Sequence, residues 1–382
     1  MTVSIWQADG TQPVREVDFL VVGAGIAGCA SALFASQAGR DVVVTDARDI
    51  ALGASGRNAG FMITGLADYY HKGIEQFGHA AARELWALSI KTHDYWRAWA
   101  REAGGVHMDQ RGSMLLAESL EEAKELELAA RALNADGIEA IYHAADPLKR
   151  GYFAAVEQPW DGSVQPVELA QAVLRLSGAE FIANNEAYKV EQISAELVAV
   201  HTRKVIFHAR YVMLCTNAYS FTLHPYFRGM VIPQRAQVMV TEPLPDSVIP
   251  VCGYSDYGYM YYRMTHDNRL LIGGGRHKFF EQEADTTDDR VTDGVQGYLD
   301  GYMRRFFPEV NARVDRRWAG TMGFSADGVP LVGTLPDSPR IGFAVGFTGH
   351  GLAFAAGTAE RAVDHLLYGT HPGALWAGRL TR

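Results

Sequence analysis

Phe19-Leu20-Val21-Val22-Gly23-Ala24-Gly25-Ile26-Ala27-Gly28 is the stretch that decides the fold. Four consecutive apolar residues suit a short parallel strand buried on both faces. The small residues from Ile26 to about Gln37 read as a helix, and Asp41 to Thr45 as a second buried strand. Strand, glycine turn, helix and strand make the opening β-α-β of a doubly wound sheet. Gly23 makes the tight turn, Gly25 lets backbone approach a pyrophosphate, and Gly28 lets helix and strand pack closely. Ile26 and Ala27 begin the helix, whose N-terminus offers N–H groups and positive potential to an anion. Asp46, followed by Ala47 and Arg48, ends the second strand roughly 20 residues on, where a carboxylate can hold a ribose hydroxyl. The plainer readings are a glycine turn without a ligand and a surface cap at Asp46. The strand–turn–helix context favours a dinucleotide, without separating NAD from FAD.

Composition sets wide limits around this core. The chain has 382 residues, 48% hydrophobic and 21% charged, enough for two intimately joined domains. A formal net charge of −9 repels nucleic acid and anionic membrane surfaces. Cys29, Cys215 and Cys252 form no CxxC pair and no metal spacing, and their odd number argues for a reducing compartment. No apolar run is long enough to span a bilayer, and the polar residues 1–16 lack the layout of a signal peptide. The expectation is a cytoplasmic protein without a metal, a membrane span or a nucleic-acid partner.

Further elements follow from periodicity. Residues 50–66 read as an irregular glycine-rich segment, and 85–103 as a helix with Leu85, Trp86, Ile90, Trp96 and Trp99 at helical spacing. Residues 120–134 read as a helix whose charges form a solvated face. Helices are also expected over 167–176, 294–307 and 352–367. Short strands are expected at 181–182, 188–193, 197–200 and 205–207, and buried strands at 211–215 and 341–345. Residues 231–241, 258–264 and 270–273 alternate like strands of a second, antiparallel sheet. The predicted class is α/β: a Rossmann-like βαβ domain over 15–80, 150–220 and 315–382, interleaved with an antiparallel-sheet α+β domain over 81–149 and 221–314.

Two more segments carry chemistry. Ser55-Gly56-Arg57-Asn58-Ala59-Gly60 combines hydroxyl, guanidinium and amide in a loop that can run along a long cofactor and donate to it. Gly346-Phe347-Thr348-Gly349-His350-Gly351-Leu352 joins a buried strand to a helix start, which would stabilise negative charge developing on a reduced flavin. His350 either touches substrate or flavin or serves as a structural hydrogen-bond partner. Period two puts Tyr259, Tyr261 and Arg263 on one strand face, facing substrate or forming a packing stripe with Arg263 in solvent. Arg276-His277-Lys278 either supplies a cation for a substrate carboxylate or is a surface cluster.

With these blocks, the chain resembles the D-amino-acid-oxidase superfamily of FAD-dependent oxidoreductases, which includes glycine, sarcosine and γ-glutamylputrescine oxidases. The resemblance runs over roughly 17–370 and includes Asp161-Gly162-Ser163-Val164-Gln165-Pro166, Pro233-Gln234-Arg235-Ala236-Gln237 and Arg317-Trp318-Ala319-Gly320. It implies a yellow protein that oxidises a C–N bond of a small amine or amino acid by hydride transfer to flavin N5, giving an imine, with O2 or another acceptor reoxidising the flavin. It also implies that Ala187 contacts the adenine side and that Thr216, Asn217 and Gly320 line the flavin pocket, with Tyr261 at the substrate. Relatives bind the substrate carboxylate with an arginine at the position of Met322, and methionine cannot replace a guanidinium. Some attach flavin through a cysteine where this chain has Thr321, so FAD is expected to be noncovalent. Lysines used by some relatives are matched by Ala353 and Leu271. The pocket is therefore expected to prefer amines without an α-carboxylate, or else to recruit Arg276 or Arg263. The other readings are a D-amino-acid or 2-hydroxy-acid dehydrogenase on the same scaffold, a flavin-binding protein without turnover, and an NAD-dependent dehydrogenase.

Overall fold

A computed structural model describes residues 12–380. Phe19 and Val21 face one hydrophobic cluster and Leu20 and Val22 another, so the strand Val14–Val22 is buried on both sides. It pairs in parallel with Val42–Thr45 on one edge and Ile206–Leu214 on the other. Glu180–Ile182 and Ser338–Val345 extend the parallel sheet at its two ends. The nine-residue strand Ile206–Leu214 shares its outer edge between two partners. Its first half pairs antiparallel with Val198–Thr202, and its last residues pair parallel with Ser338–Val345. The sequence reading split this strand at 205–207 and 211–215; the intervening polar residues sit where alternation, not continuous burial, is required.

Helix Ile26–Gln37 packs against Pro166–Ser177 and Gly351–Tyr368, and His79–Ala103 lies across the latter two. The core between them is made largely of alanine, which lets backbones approach closely: Ala27, Ala30, Ala355, Ala356 and Ala359 are all buried. A second sheet runs Val314–Ser325, Val231–Thr241, Leu270–Gly274, Met260–Met264, Cys252–Ser255, Ser113–Leu116, Ala155–Gln158 and Ile141–His143. All its pairings are antiparallel except Cys252–Ser255 with Ser113–Leu116. A small third sheet joins Phe61–Met62, Gly162–Val164 and Met108–Asp109. The chain thus combines a parallel βαβ sheet with an antiparallel one, and the segments of each interleave along the sequence. Ala155–Gln158 and Val314–Ser325 belong to the second sheet, across the boundaries expected from the sequence.

Two local expectations need correction. The segment 50–66 is not wholly irregular: it holds the short helix Ala54–Arg57 and the strand Phe61–Met62. The helix Leu120–Ala135 does not keep all its charges in water, because Glu122 is only 1% exposed. Burial raises the affinity of the Glu122 carboxyl for its proton, while N–H groups of Glu118 and Tyr257 and the Tyr69 hydroxyl donate to it. Those three donors offset part of the desolvation and tie the helix to the Cys252–Met264 hairpin.

His93, on the buried side of helix His79–Ala103, has no hydrogen-bond partner at either ring nitrogen among the described residues. Burial pushes its proton affinity down, to about 3. The unfolded chain binds a proton near pH 6.5 that the folded chain refuses, so this site's stability is complete above that pH and declines as pH falls. Replacing His93 with Leu should remove that decline. Between pH 7 and pH 5 the wild type should lose about 2 kcal/mol of stability relative to the variant in urea unfolding. A constant difference would refute the assignment.

Candidate active site

The glycine turn is built by steric exclusion. Gly23 sits at φ +109°, and a β-carbon there would lie 2.7 Å from the Cys215 carbonyl oxygen. At Gly28 a β-carbon would stand 1.8 Å from the Gly23 carbonyl oxygen. Strand and helix therefore meet closely, and the helix start opens onto a cavity of about 910 Å³. The N–H groups of Gly25 and Ala27 line it without a partner among the described residues, while the Ile26 N–H donates to Ser55 Oγ at 2.8 Å. Having accepted that bond, the Ser55 hydroxyl keeps its own proton to donate. Asp46 Oδ2 accepts from the Ala24 N–H at 2.7 Å and Oδ1 from the Arg48 N–H at 2.8 Å. Its carboxylate braces the turn besides facing the cavity.

The cavity runs from Asn184, Asn185, Glu186, Ala187 and Arg203 at one end, past Asp46, Ala47, Arg48 and the 53–59 loop, to the second sheet. There it is lined by Thr216, Asn217, Gly320, Thr321, Met322 and Phe324, and by Thr348, Gly349, His350, Gly351 and Leu352. One strand, Val314–Ser325, presents much of this wall. Arg57, which donates to the Ala319 carbonyl at 3.0 Å, leaves only a glycine's width at 320, where a β-carbon would lie 2.9 Å from its own. A β-carbon at Gly349 would touch Met322 Sδ at 3.4 Å. Thr321 is 4% exposed, and its hydroxyl has no partner among the described residues. The N–H groups of Gly349, Gly351 and Leu352 likewise lack partners among the described residues. Unpaired amides at two helix starts in one cavity suit a ligand rich in acceptors.

Most residues expected at the site line this cavity; four of the glycines do not. Gly28 and Gly56 are packing glycines, a β-carbon at Gly56 falling 2.2 Å from the Ala51 carbonyl oxygen. Gly60 holds a turn at φ +72° beneath Arg263, and Gly346 donates its N–H to Asn217 Oδ1 at 2.9 Å. They shape the wall from behind. Arg263 is neither in solvent nor facing substrate: it is 8% exposed and donates to the carbonyls of Ala59, Val164 and Met264. Tyr261 lines the cavity from the strand, whereas Tyr259 lines it from the preceding turn. The 276–278 cluster divides, for His277 and Lys278 turn to Asp256 while Arg276 turns into the cavity.

His350 Nδ1 donates to the Thr348 carbonyl at 3.1 Å, since a carbonyl can only accept, and Nδ1 is therefore the protonated nitrogen of the neutral ring. Burial lowers its proton affinity, and Arg276 nearby lowers it further. The apolar side of the cavity comes from Phe61, Ile63, Val238 and Tyr254, with Leu271 packed behind them. The sequence reading missed the roles of Phe324, Tyr254, Asn185 and Arg203. Only Tyr254 carried a signal, as an aromatic residue two positions from Cys252 in a short alternating run.

A family model described as FAD dependent oxidoreductase (DAO) matches residues 18–365. The chain belongs to this family. Among similar proteins, the γ-glutamylputrescine oxidoreductase of Escherichia coli is 29% identical over 382 residues, covering 92% of this chain and 84% of that one. A glycine oxidase of Bacillus licheniformis is 22% identical over 374 residues, covering 92% and 94%. The crystal structure of L-proline dehydrogenase from P. horikoshii superposes with a TM-score of 0.81 at 22% identity, over 97% of this chain and 99% of that one. The DAO family's cofactor, FAD, fits the cavity's free amides and the Ser55 hydroxyl. No helix among the described residues is long and apolar enough to cross a membrane.

Because the Gly28 contact leaves no room, Gly28→Ala should lower thermal stability by about 1–3 kcal/mol or more. A normal melting temperature in the apoprotein would show that the helix can shift outward freely.

Proposed function

We propose that this protein oxidises a carbon–nitrogen bond of a small amine or amino acid to an imine, with noncovalent FAD. The single observation that carries the reading is the cavity onto which two helix starts with unpaired amides open. Gly25, Ala27 and Ser55 would hold the pyrophosphate, and Asp46 the ribose. Ala187 and Asn185 would face the adenine, and Arg57, Asn58, Thr216, Asn217, Gly320 and Met322 the ring system. Threonine at 321 offers no thiol for attachment. Cys215, the cysteine that lines the cavity, lies by the glycine turn with its thiol pushed up to about 12 by burial.

Bound there, FAD supplies a two-electron acceptor for a hydride from the carbon beside the substrate nitrogen. The amides of Gly351 and Leu352 and the positive end of their helix would hold the negative charge that this transfer creates. Phe61, Tyr254 and Tyr261 exclude water and orient the substrate against the ring. With Nδ1 committed to Thr348, His350 presents Nε2 as an acceptor toward the substrate amine. That nitrogen must be unprotonated for its lone pair to assist hydride departure, and a neutral His350 favours this state. Water then hydrolyses the imine, and O2 or another acceptor takes the electrons. The amine-oxidising names of the curated relatives support this substrate class. We further propose that the first sheet and its helices form the cofactor unit, the second sheet the substrate unit, and that the protein works in the cytoplasm.

Acid precipitation should release all yellow colour as FAD into the supernatant. Anaerobic titration with alkylamines, D- and L-amino acids and 2-hydroxy acids should bleach the flavin with an amine-bearing compound. Colour kept in the pellet would overturn the noncovalent link, and bleaching by hydroxy acids alone would overturn C–N oxidation. No bleaching by any of them would leave a flavin-binding protein.

A further inference from the structure

Arg276 is the cation at the substrate end of the cavity whose charge is not answered within the protein. It follows the strand Leu270–Gly274 and is half-buried. Its guanidinium lies between two aromatic faces, 5.2 Å from the Tyr259 ring centroid and 4.8 Å from that of Phe324. Nη1 donates to Gln234 Oε1 at 2.9 Å. That is its one hydrogen bond among the described residues, and no carboxylate forms an ion pair with it there. Of its five N–H donors, four therefore remain. None of its nitrogens is sealed in protein without a partner, so those donors open toward the cavity that Arg276 lines.

The other cations around the cavity are engaged or lie elsewhere. Arg57 pairs with Asp289, Arg203 pairs with Glu186, and Arg48 lies beside Asp46 at the far end. Gln234 fixes where the Arg276 guanidinium points. It stands directly opposite Met322 on the neighbouring strand, in the register that also sets Ala236 against Gly320 and Ile232 against Phe324. Cross-strand partners have β-carbons about 4.5–5.5 Å apart, so the guanidinium is held beside the Met322 wall, where its charge acts on Tyr261 and His350. Two aromatic faces hold the plane of the fork, and one hydrogen bond fixes its rotation.

We propose that Arg276 is the specificity-determining residue of the site: it binds a carboxylate of the substrate through a planar fork that Gln234, Tyr259 and Phe324 hold in place. This rests on the reading of the cavity as an amine-oxidising site and names its substrate class as amines that carry a carboxylate. It replaces the expectation of a preference for amines without one. A guanidinium with four open donors in a half-buried pocket is costly until a planar anion meets it, and a carboxylate matches the fork in two parallel bonds. Neutralising the charge on Arg276 also removes one influence that keeps protons from His350, so carboxylate binding and the proton affinity of Nε2 rise together.

The test uses FAD-loaded protein and two readouts. In the first, acetate is titrated calorimetrically into wild type, Arg276→Gln, Arg276→Lys and Gln234→Leu, with Lys278→Gln as a surface control. Acetate should bind wild type and the control alike, and Arg276→Gln about ten- to hundredfold more weakly. Arg276→Lys keeps the charge without the fork and should fall between them, as should Gln234→Leu. In the second, flavin reduction is followed with an alkylamine, an α-amino acid and an ω-amino acid of the same chain length. A carboxylated amine should win in wild type, and Arg276→Gln should lower its advantage over the alkylamine by a similar factor; which amino acid wins locates the carboxylate. Equal acetate affinity in wild type and Arg276→Gln, or no acetate binding by wild type, overturns the clamp. Acetate binding that depends on Arg276, without flavin reduction by any amine, upholds the clamp and overturns the proposed reaction.

Discussion

The helix Ile26–Gln37 can lie against the end of its strand only because no side chain separates Gly28 from the Gly23 carbonyl oxygen. That approach brings the unpaired amides of the helix start to the edge of the sheet, where the cavity begins. Ser55 reaches in from the neighbouring loop to the Ile26 N–H, and Asp46 reaches across to the Ala24 N–H. A wider separation would cost those contacts their geometry, and the proposed FAD site its cradle. The alanine-rich packing of this helix on Gly351–Tyr368 carries the same closeness to the other end of the cavity, where the second set of free amides stands.

Between the two ends, the strand Val314–Ser325 acts as a ruler. Gly320 abuts Arg57 of the short helix Ala54–Arg57, Met322 abuts Gly349, and Phe324 backs Arg276. Residues two apart on a strand face the same way about 6–7 Å apart, so the wall is graded from the loop toward the substrate end. Its long pairing with Val231–Thr241 makes it stiff, which suits the proposed role of positioning a reacting carbon.

The parts legible in the sequence were those with strong local constraint. The helix over 26–37 and the strand over 231–241 fall where periodicity set them, because continuous burial and strict alternation leave little choice. The strand Val314–Ser325 escaped notice: its first half is charged and its second half is dominated by small residues, so no apolar period marks it. Arg263 and Arg276 were indistinguishable as letters. What separates them is which carbonyls come near: Arg263 meets those of Ala59 and Val164 far along the chain and of its neighbour Met264, and Arg276 meets none among the described residues. Glu122 was misread for the same reason, its donors arriving from residues 69 and 257.

The order of strands in the first sheet also governs how the molecule can be assembled. Val14–Val22 finds one neighbour nearby in the chain, but its other neighbour is Ile206–Leu214, and that strand in turn awaits Ser338–Val345. During synthesis the apolar strand near the N-terminus therefore emerges long before its second edge can be covered. Contacts of such sequence separation fold slowly and leave open strand edges exposed to other chains meanwhile. An architecture that gathers a cofactor site from both ends of the chain thereby depends on completion of the polypeptide, and on protection of the nascent chain until then.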